Sequence, residues 1–196
     1  MTISFEKYTF HPVIELPPEY EVSDFSRTYD PARKPSQPFG IGKYNEKRPN
    51  MYCAPLFGGV RNIHMGIDIA APVGTEVRSF WEGEIYLFGY NAAPGDYGHT
   101  LITRHVLEDV ELYALYGHLN ERSTLKKTPG QRIKGAEVIA WVGAKHENGG
   151  WNPHLHFQLS YERPSVPDMP GVVSDEQLNE ALLKYPDPRL VLGPLY

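Results

Sequence analysis

Histidine is the side chain of this sequence that is best suited to bind a metal or to transfer a proton near neutral pH. The chain has eight histidines among its 196 residues, and several of them lie in short motifs whose spacing is chemically useful. The motifs, in chain order, are His64-Met-Gly-Ile-Asp68, Tyr116-Gly-His118-Leu and His154-Leu-His156. Each motif also has a simpler interpretation, in which its polar side chains face solvent or have a structural role.

The last motif is the most specific one by itself. Alternate residues of a β-strand point to the same side, so His154 and His156 share one face and the apolar residues around them can fill a core on the other. The two imidazoles are then roughly 6–7 Å apart at the backbone. One can bind a metal while the other reaches the reacting atom beside it, although two surface histidines would give the same pattern.

The first motif pairs a histidine with an acid four residues later. On an ideal strand His64 and Asp68 would be about 13 Å apart, which is too far to share an ion. They can bind one ion only if the chain bends between them, and Gly66 is the residue that permits such a bend. A neutral imidazole and a carboxylate are ordinary zinc ligands. The alternative is a solvated pair at the start of a strand.

The remaining histidines give weaker signals. Alternation in the run LYALYGHL places His118 on the same face as Tyr116, where a lone histidine is more often structural than catalytic. We expect packing or supporting roles for His99 and His105. His146 lies in a loop rich in Gly and Asn and is expected to face solvent.

The elements that must position these residues are short. Between residues 60 and 160, apolar runs rich in β-branched and aromatic residues alternate with turn signals, and no helical period of useful length occurs. This pattern predicts a mainly β fold, an antiparallel sandwich or barrel-like core. The runs are Ile63–Ala70, Glu76–Phe80, Glu84–Tyr90, Thr100–Val106, Glu111–Tyr116, Glu137–Val142 and Leu155–Ser160.

The chain divides into three parts by composition. Residues 1–50 are rich in proline and predict an irregular extension packed on the core. Residues 51–165 form the predicted β domain, and residues 166–196 hold one helix and a loop-like tail. The helix begins after a capping box of Ser174 and Gln177 and ends before Pro186.

Composition excludes several classes of protein. The formal net charge is −5 with no basic block, so we expect no nucleic-acid partner. No apolar run approaches the ~20 residues of a membrane helix. The single cysteine, Cys53, excludes an intramolecular disulfide and fits a reducing compartment. The start of the chain has no basic segment followed by an apolar one, so we expect no secretory signal and a cytoplasmic location.

Taken together, the three motifs resemble the lysostaphin/LytM-type zinc metalloendopeptidase family. That family has the pattern HxxxD, then a histidine in an aromatic-x-His-Leu context, then HxH. The segments GIDIAAPVGTEVRSFWEGEI, IKGAEVIAWVG and NPHLHFQL are also similar to stretches of the family. The resemblance extends over about residues 60–160.

The resemblance implies a role for each matched position. His64, Asp68 and His156 would bind one Zn²⁺ per chain, and His118 and His154 would be the catalytic residues that transfer protons. The implied reaction is hydrolysis of peptide bonds by a metal-activated water, in peptidoglycan cross-bridges or glycine-containing peptides. Which histidine is the general base stays open, as do the scissile bond and the oligomeric state.

Four alternatives are weighed against that function. One is a non-catalytic or regulatory binding module on the same fold. A second is a cytoplasmic hydrolase of a non-peptidoglycan amide, because the HxH region and the C-terminal residues are similar to a cytoplasmic subgroup elsewhere fused to class III aminotransferases. A cupin-type oxygenase would need a Glu three to four residues after His156, where Ser160 and Tyr161 stand. A purely structural β domain is the fourth.

Overall fold

The structure is a computed structural model that describes residues 3–30, 32 and 35–196. Its α-helices are α1 (Leu178–Lys184) and α2 (Arg189–Leu192), and short 3-10 helices occupy Phe5–Lys7, Pro55–Phe57 and Glu121–Ser123. The strands are β1 (Glu21–Val22), β2 (Gly40–Gly42), β3 (Glu46–Lys47), β4 (Ile63–His64), β5 (Ile67–Ala70), β6 (Glu76–Arg78), β7 (Gly83–Asn91), β8 (Gly98–Leu107), β9 (Val110–Leu119), β10 (Arg132–Ile133), β11 (Val138–Trp141), β12 (His154–Ser160) and β13 (Val172–Val173).

Most strands join one large sheet with the order β1-β2-β5-β12-β9-β8-β7-β10. Strands β7, β8 and β9 follow one another as an antiparallel meander, and β12 is inserted between β5 and β9. Two small sheets, β11-β6 and β13-β4-β3, lie outside it. The predicted mainly β, antiparallel fold is therefore confirmed.

Alternation along β12 separates the hydrophobic core from the candidate site. Leu155, Phe157 and Leu159 are fully buried in the main hydrophobic cluster, and burial of each such side chain contributes roughly 1.5–3 kcal/mol. On the opposite face, His156 and Gln158 are also buried, and the Gln158 amide donates a hydrogen bond to the Pro170 carbonyl at 3.3 Å. The core thus fixes the strand that carries the HxH motif.

The apolar run Ile63–Ala70 is divided at Gly66 into β4 and β5, which belong to different sheets. A Cβ at Gly66 would lie only 2.5 Å from two atoms of the His156 ring and 2.9 Å from the Phe157 carbonyl oxygen. Glycine is required here because the chain passes directly against that ring. The bend that the first motif needs is confirmed.

The two ends of the chain contain more regular structure than their sequences indicate. The residues before 50 were predicted to be irregular, yet they contribute β1 and β2 to the large sheet and β3 to a small one. Near the other end, the backbone amide of Ser174 donates to Gln177 Oε1 at 3.1 Å, which is half of the predicted capping box. The tail after Pro186, predicted as loop, includes the short helix α2.

Cys53, the single cysteine, is exposed. Among the residues that the structure describes, no helix combines the length and apolar character needed to cross a membrane.

Candidate metal centre

Three strands bring the first and last motifs together. Strand β5 carries Asp68 directly opposite His156 of β12 in the antiparallel register. Strand β4 carries His64, and the bend at Gly66 turns its ring back toward both. His64 Nε2 lies 3.0 Å from His156 Nδ1 and 3.1 Å from Asp68 Oδ1. His156 Nδ1 and Asp68 Oδ1 are also 3.1 Å apart.

This triangle of atoms has the size of one face of a metal coordination shell. Zinc ligands at 2.0–2.2 Å in tetrahedral geometry are about 3.3–3.6 Å from one another, so each ligand atom needs to move only slightly outward. Two imidazoles and one carboxylate are a common donor set for zinc and leave a fourth position open. His64, Asp68 and His156 therefore fit a divalent metal, and each offers one ligand atom to the same point.

Hydrogen bonds fix which ring nitrogen is available in each ligand. A carbonyl oxygen can only accept, so His64 Nδ1 carries the proton that it donates to the Lys43 carbonyl at 2.9 Å. His156 Nε2 donates to Gln158 Oε1 at 3.0 Å. The lone pairs of His64 Nε2 and His156 Nδ1 are therefore left free at the centre of the triangle.

The charge states also suit metal binding. Burial, together with the nearby Arg48 guanidinium, lowers the pKa of His64 to about 4. Burial alone would raise the pKa of the Asp68 carboxyl, but His64 and Arg48 outweigh it and hold that pKa well below its usual range. At neutral pH the site therefore presents a neutral imidazole beside an ionised carboxylate, the forms that a metal requires.

The two other matched histidines lie beside this triangle. The rings of His118 and His154 are 4.2 Å apart between centroids. Their Nδ1 atoms donate to the backbone carbonyls of Asn148 at 2.8 Å and Asn152 at 2.7 Å. Both Nε2 atoms are thus free, and that of His154 is 3.7 Å from Asp68 Oδ1. Burial lowers the pKa of both rings, that of His118 by the larger amount, so both can accept a proton.

The predicted face of His118 is wrong. Tyr116 lies opposite Phe157 on the core face, and Gly117 lies opposite His156 on the site face, so strict alternation would direct residue 118 into the core. His118 instead has a left-handed backbone with φ of 62°, next to an irregularity in the pairing of β8 with β9. This departure turns its ring toward His154.

The histidines outside the centre have other surroundings. His105 is fully buried and has both nitrogens occupied, by the Glu82 carbonyl at 2.8 Å and by Thr103 Oγ1 at 2.7 Å. His99 packs on Tyr90 and contacts a threonine hydroxyl. These contacts agree with the predicted packing roles, and His146 is exposed as predicted.

The sequence did not predict the groups that form hydrogen bonds to Asp68 and His64 and so orient these candidate ligands. Arg48 is buried and donates from Nη1 to Asp68 Oδ2 at 2.7 Å. It lies in the segment that was predicted to be irregular, and its only local signal is Glu46 two residues earlier, whose Oε2 accepts from Nε at 2.9 Å. The role of the Lys43 carbonyl could not be predicted, because a backbone group is not indicated by any residue type.

The centre opens into a cleft with a volume of about 400 Å³. Aromatic side chains form much of its wall, and residues from the N-terminal segment form one side. The Tyr52 and Trp151 rings are 6.1 Å apart and edge-to-face. The aromatic residues that line the cleft are Phe25, Tyr29, Tyr52, Phe57, Tyr97 and Trp151.

Comparison with known proteins identifies the class. Residues 62–167 match the model of Peptidase family M23, and this segment contains all five motif residues. The match extends over more than half of the chain, so the chain belongs to peptidase family M23. The resemblance found in the sequence is confirmed.

Individual relatives match a smaller share of their own length. The DD-carboxypeptidase/endopeptidase Mpg of Neisseria meningitidis is 34% identical over 119 residues, which are 61% of this chain and 25% of that protein. The peptidoglycan DD-endopeptidase ShyC of Vibrio cholerae is 30% identical over 124 residues, 61% of this chain and 26% of that protein. The chain therefore spans about a quarter of each relative.

Among solved structures, the catalytic domain of the antimicrobial peptidase lysostaphin from Staphylococcus simulans aligns with a TM-score of 0.48. The sequence identity is 20%, and the alignment covers 73% of this chain and 92% of that domain.

Proposed function

We propose that this protein is a zinc metalloendopeptidase that hydrolyses peptide bonds of the kind found in peptidoglycan cross-bridges. The observation that carries the proposal is the convergence of His64 Nε2, Asp68 Oδ1 and His156 Nδ1 to within about 3 Å of one another. The names of the relatives from Neisseria and Vibrio support this class of substrate. The donor set supports zinc, with one ion per chain.

His64, Asp68 and His156 would hold the zinc ion, which would supply a Lewis acid that lowers the pKa of a water and polarises a carbonyl. The chain supplies the proton transfers. His118 and His154 each present an unprotonated Nε2, because Nδ1 is bound to a backbone carbonyl. One of them accepts the proton of the attacking water and returns it to the leaving amine.

Both histidines lie close to the ligands. His154 Nε2 is 3.7 Å from the ligand oxygen of Asp68, and the rings of His118 and His156 are 6.2 Å apart between centroids. The Nδ1 atom of each ring is bound to a backbone carbonyl, so each ring can exchange a proton at Nε2 without rotating.

The test combines metal analysis with cleavage assays. Purified protein is analysed for bound metal, then incubated with cross-linked muropeptides, with a glycine-containing peptide and with a small soluble amide. We expect zinc to co-purify and a peptide bond of the muropeptide or glycyl substrate to be cut. The variant His156→Ala should lose both zinc and cleavage, and the exposed His146→Ala should lose neither.

Each other outcome identifies an alternative. Zinc retained without cleavage of any substrate would favour a binding module, and cleavage restricted to the small amide would favour a non-peptidoglycan hydrolase. Absence of zinc from wild-type protein after incubation with excess metal would contradict the proposal. The cytoplasmic location stays a prediction, which fractionation of expressing cells can check.

A further inference from the structure

The groups that hold Asp68 and His64 come from outside the segment that matches the family. The match to the family begins at residue 62, whereas Arg48, Glu46 and the Lys43 carbonyl precede it. We propose that Arg48 is a positioning residue that makes Asp68 bind the metal through one oxygen, and that the segment 40–48 supports the metal centre. The inference rests on the proposed function, because it presumes that Asp68 binds the metal.

The two oxygens of Asp68 have separate partners. Oδ1 faces the ligand nitrogens of His64 and His156 at 3.1 Å each. Oδ2 accepts from Arg48 Nη1 at 2.7 Å, which is the length of a charge-assisted hydrogen bond. The hydrogen bond directs Oδ2 toward Arg48, so Oδ1 is the oxygen that faces the other two ligands and Asp68 offers the metal one oxygen.

Arg48 is itself held in one orientation. Its Nε donates to Glu46 Oε2 at 2.9 Å, its Nη2 to the Lys43 carbonyl at 3.2 Å, and its Nη1 also to the Tyr52 hydroxyl at 2.9 Å. The side chain is only 1% exposed. A buried arginine with this many fixed acceptors cannot rotate away from Asp68 without leaving charges unpaired.

One backbone carbonyl links the arginine to a second ligand. The Lys43 carbonyl accepts from both Arg48 Nη2 and His64 Nδ1. The segment therefore sets the orientation of the carboxylate and of one imidazole at the same time. Gly42 allows this close approach, because a Cβ there would lie 2.8 Å from Arg48 Nη2 and 3.2 Å from Asp68 Oδ2.

The arginine adds no net charge to the centre. Glu46 and Arg48 form a buried pair with side chains 6% and 1% exposed. Their formal charges sum to zero, so the row Glu46–Arg48–Asp68 keeps the net negative charge that Asp68 brings alone. Arg48 thus orients the carboxylate while the row as a whole still favours a cation.

The test measures zinc affinity and ligand geometry without an activity assay. Arg48→Gln removes the positive charge and the guanidinium group. Gly42→Ala keeps the arginine but displaces its guanidinium group from Asp68 Oδ2. Zinc affinity is measured by competition with a chelator, and Co²⁺ is substituted as a visible-light probe whose absorption weakens as coordination number rises. Arg104→Gln is the matched control, because Arg104 also pairs with carboxylates, Glu84 and Glu111, but at the surface of the large sheet.

We expect Arg48→Gln to bind zinc roughly 10–100-fold more weakly, the usual effect of removing a group that orients a ligand. The cobalt absorption should weaken because Oδ2 becomes free to join the metal. Gly42→Ala should change both readouts in the same direction, and it decides the question if Arg48→Gln fails to fold. Arg104→Gln should match wild type.

Unchanged zinc affinity and an unchanged cobalt spectrum in a folded Arg48→Gln or Gly42→Ala protein would overturn the positioning role. If wild type binds zinc and cleaves peptide while these variants keep the wild-type zinc affinity and cobalt spectrum, only this inference is wrong. If wild-type protein captures no zinc at all, the proposed function fails and this inference fails with it.

Discussion

Buried histidines occur on both faces of the large sheet, and the two faces use them differently. On the core face His105 has one nitrogen bound to a carbonyl and the other to a hydroxyl. On the site face His156 has one nitrogen occupied, as does His64 of the adjacent small sheet, and the other nitrogen of each is directed at a shared point. Burial and residue type are the same on the two faces, so neither distinguishes a structural histidine from a candidate ligand. A ring nitrogen whose lone pair is unoccupied is what distinguishes a candidate ligand from a structural histidine.

The contrast extends to the backbone. Strand β12 is regular, and its alternation divides core from site without special geometry. Two departures from regularity bring side chains to the centre: the bend at Gly66, where β4 and β5 separate, and the positive φ of His118.

The largest effect is expected from the loss of a metal ligand on the site face. Asp68→Ala removes the carboxylate that contacts both ligand imidazoles, so we expect metal content and peptide cleavage to fall to background. Metal analysis and a cleavage assay check this. Retention of metal by the variant would mean that Asp68 is not a ligand.

Next in size is the loss of a proton-transfer group. His118→Ala should keep its metal and lose roughly 10²–10⁴-fold in kcat, the range for general acid–base catalysis. The pair of measurements separates the roles of the two residues, because Asp68→Ala is expected to lose metal. Equal metal loss in both variants would show that the division between ligands and proton-transfer residues is wrong.

The buried histidine on the core face, His105, should make the stability of the protein depend on pH. Burial lowers its pKa to about 4 from an unfolded value of 6.5, so the unfolded chain binds more protons between these values. Stability from this group is complete above pH 6.5 and falls as the pH drops toward 4, by about 3 kcal/mol in total. His105→Gln should flatten the dependence of unfolding free energy on pH in this window, measured by urea titration.

His146→Ala is the control for that experiment. His146 is exposed, and a surface substitution there should leave the free energy of unfolding within about 0.5 kcal/mol of wild type. A slope in His105→Gln equal to that of wild type would mean that His105 titrates normally in the folded protein.

The smallest expected effect concerns the bend between β4 and β5. Gly66→Ala would place a methyl group 2.5 Å from the His156 ring, and such overpacking typically costs about 1–3 kcal/mol of stability. Because the ring that must shift is a candidate ligand, zinc affinity should fall as well. A thermal melt with and without zinc measures both, and unchanged values would show that the ring has room to move.

Much of the site could be predicted from local patterns. The HxH motif needs only strand alternation, and the apolar residues between and after its histidines ensure that β12 is buried. The pairing of His64 with Asp68 follows from the presence of Gly66, since the motif is useful only if the chain bends. These features depend on neighbours within a few residues, which the sequence displays directly.

The direction of His118 could not be predicted. It depends on the register of β9 against β12 and on a left-handed residue at the end of the strand, and no nearby residue type signals either. The short strands in the N-terminal segment were missed for a similar reason. Their pairing with β5 and β4 comes from residues distant in sequence.

The sequence by itself predicted the β class and the core face of β12 from periodicity, and the resemblance of its three motifs to a known family indicated the five residues of the candidate centre. Tertiary structure alone decided which ring nitrogens are free, which oxygen of Asp68 faces the ligands, and that Arg48 holds the other. Those properties are set by hydrogen bonds between residues far apart in the chain, to backbone carbonyls that carry no sequence signature.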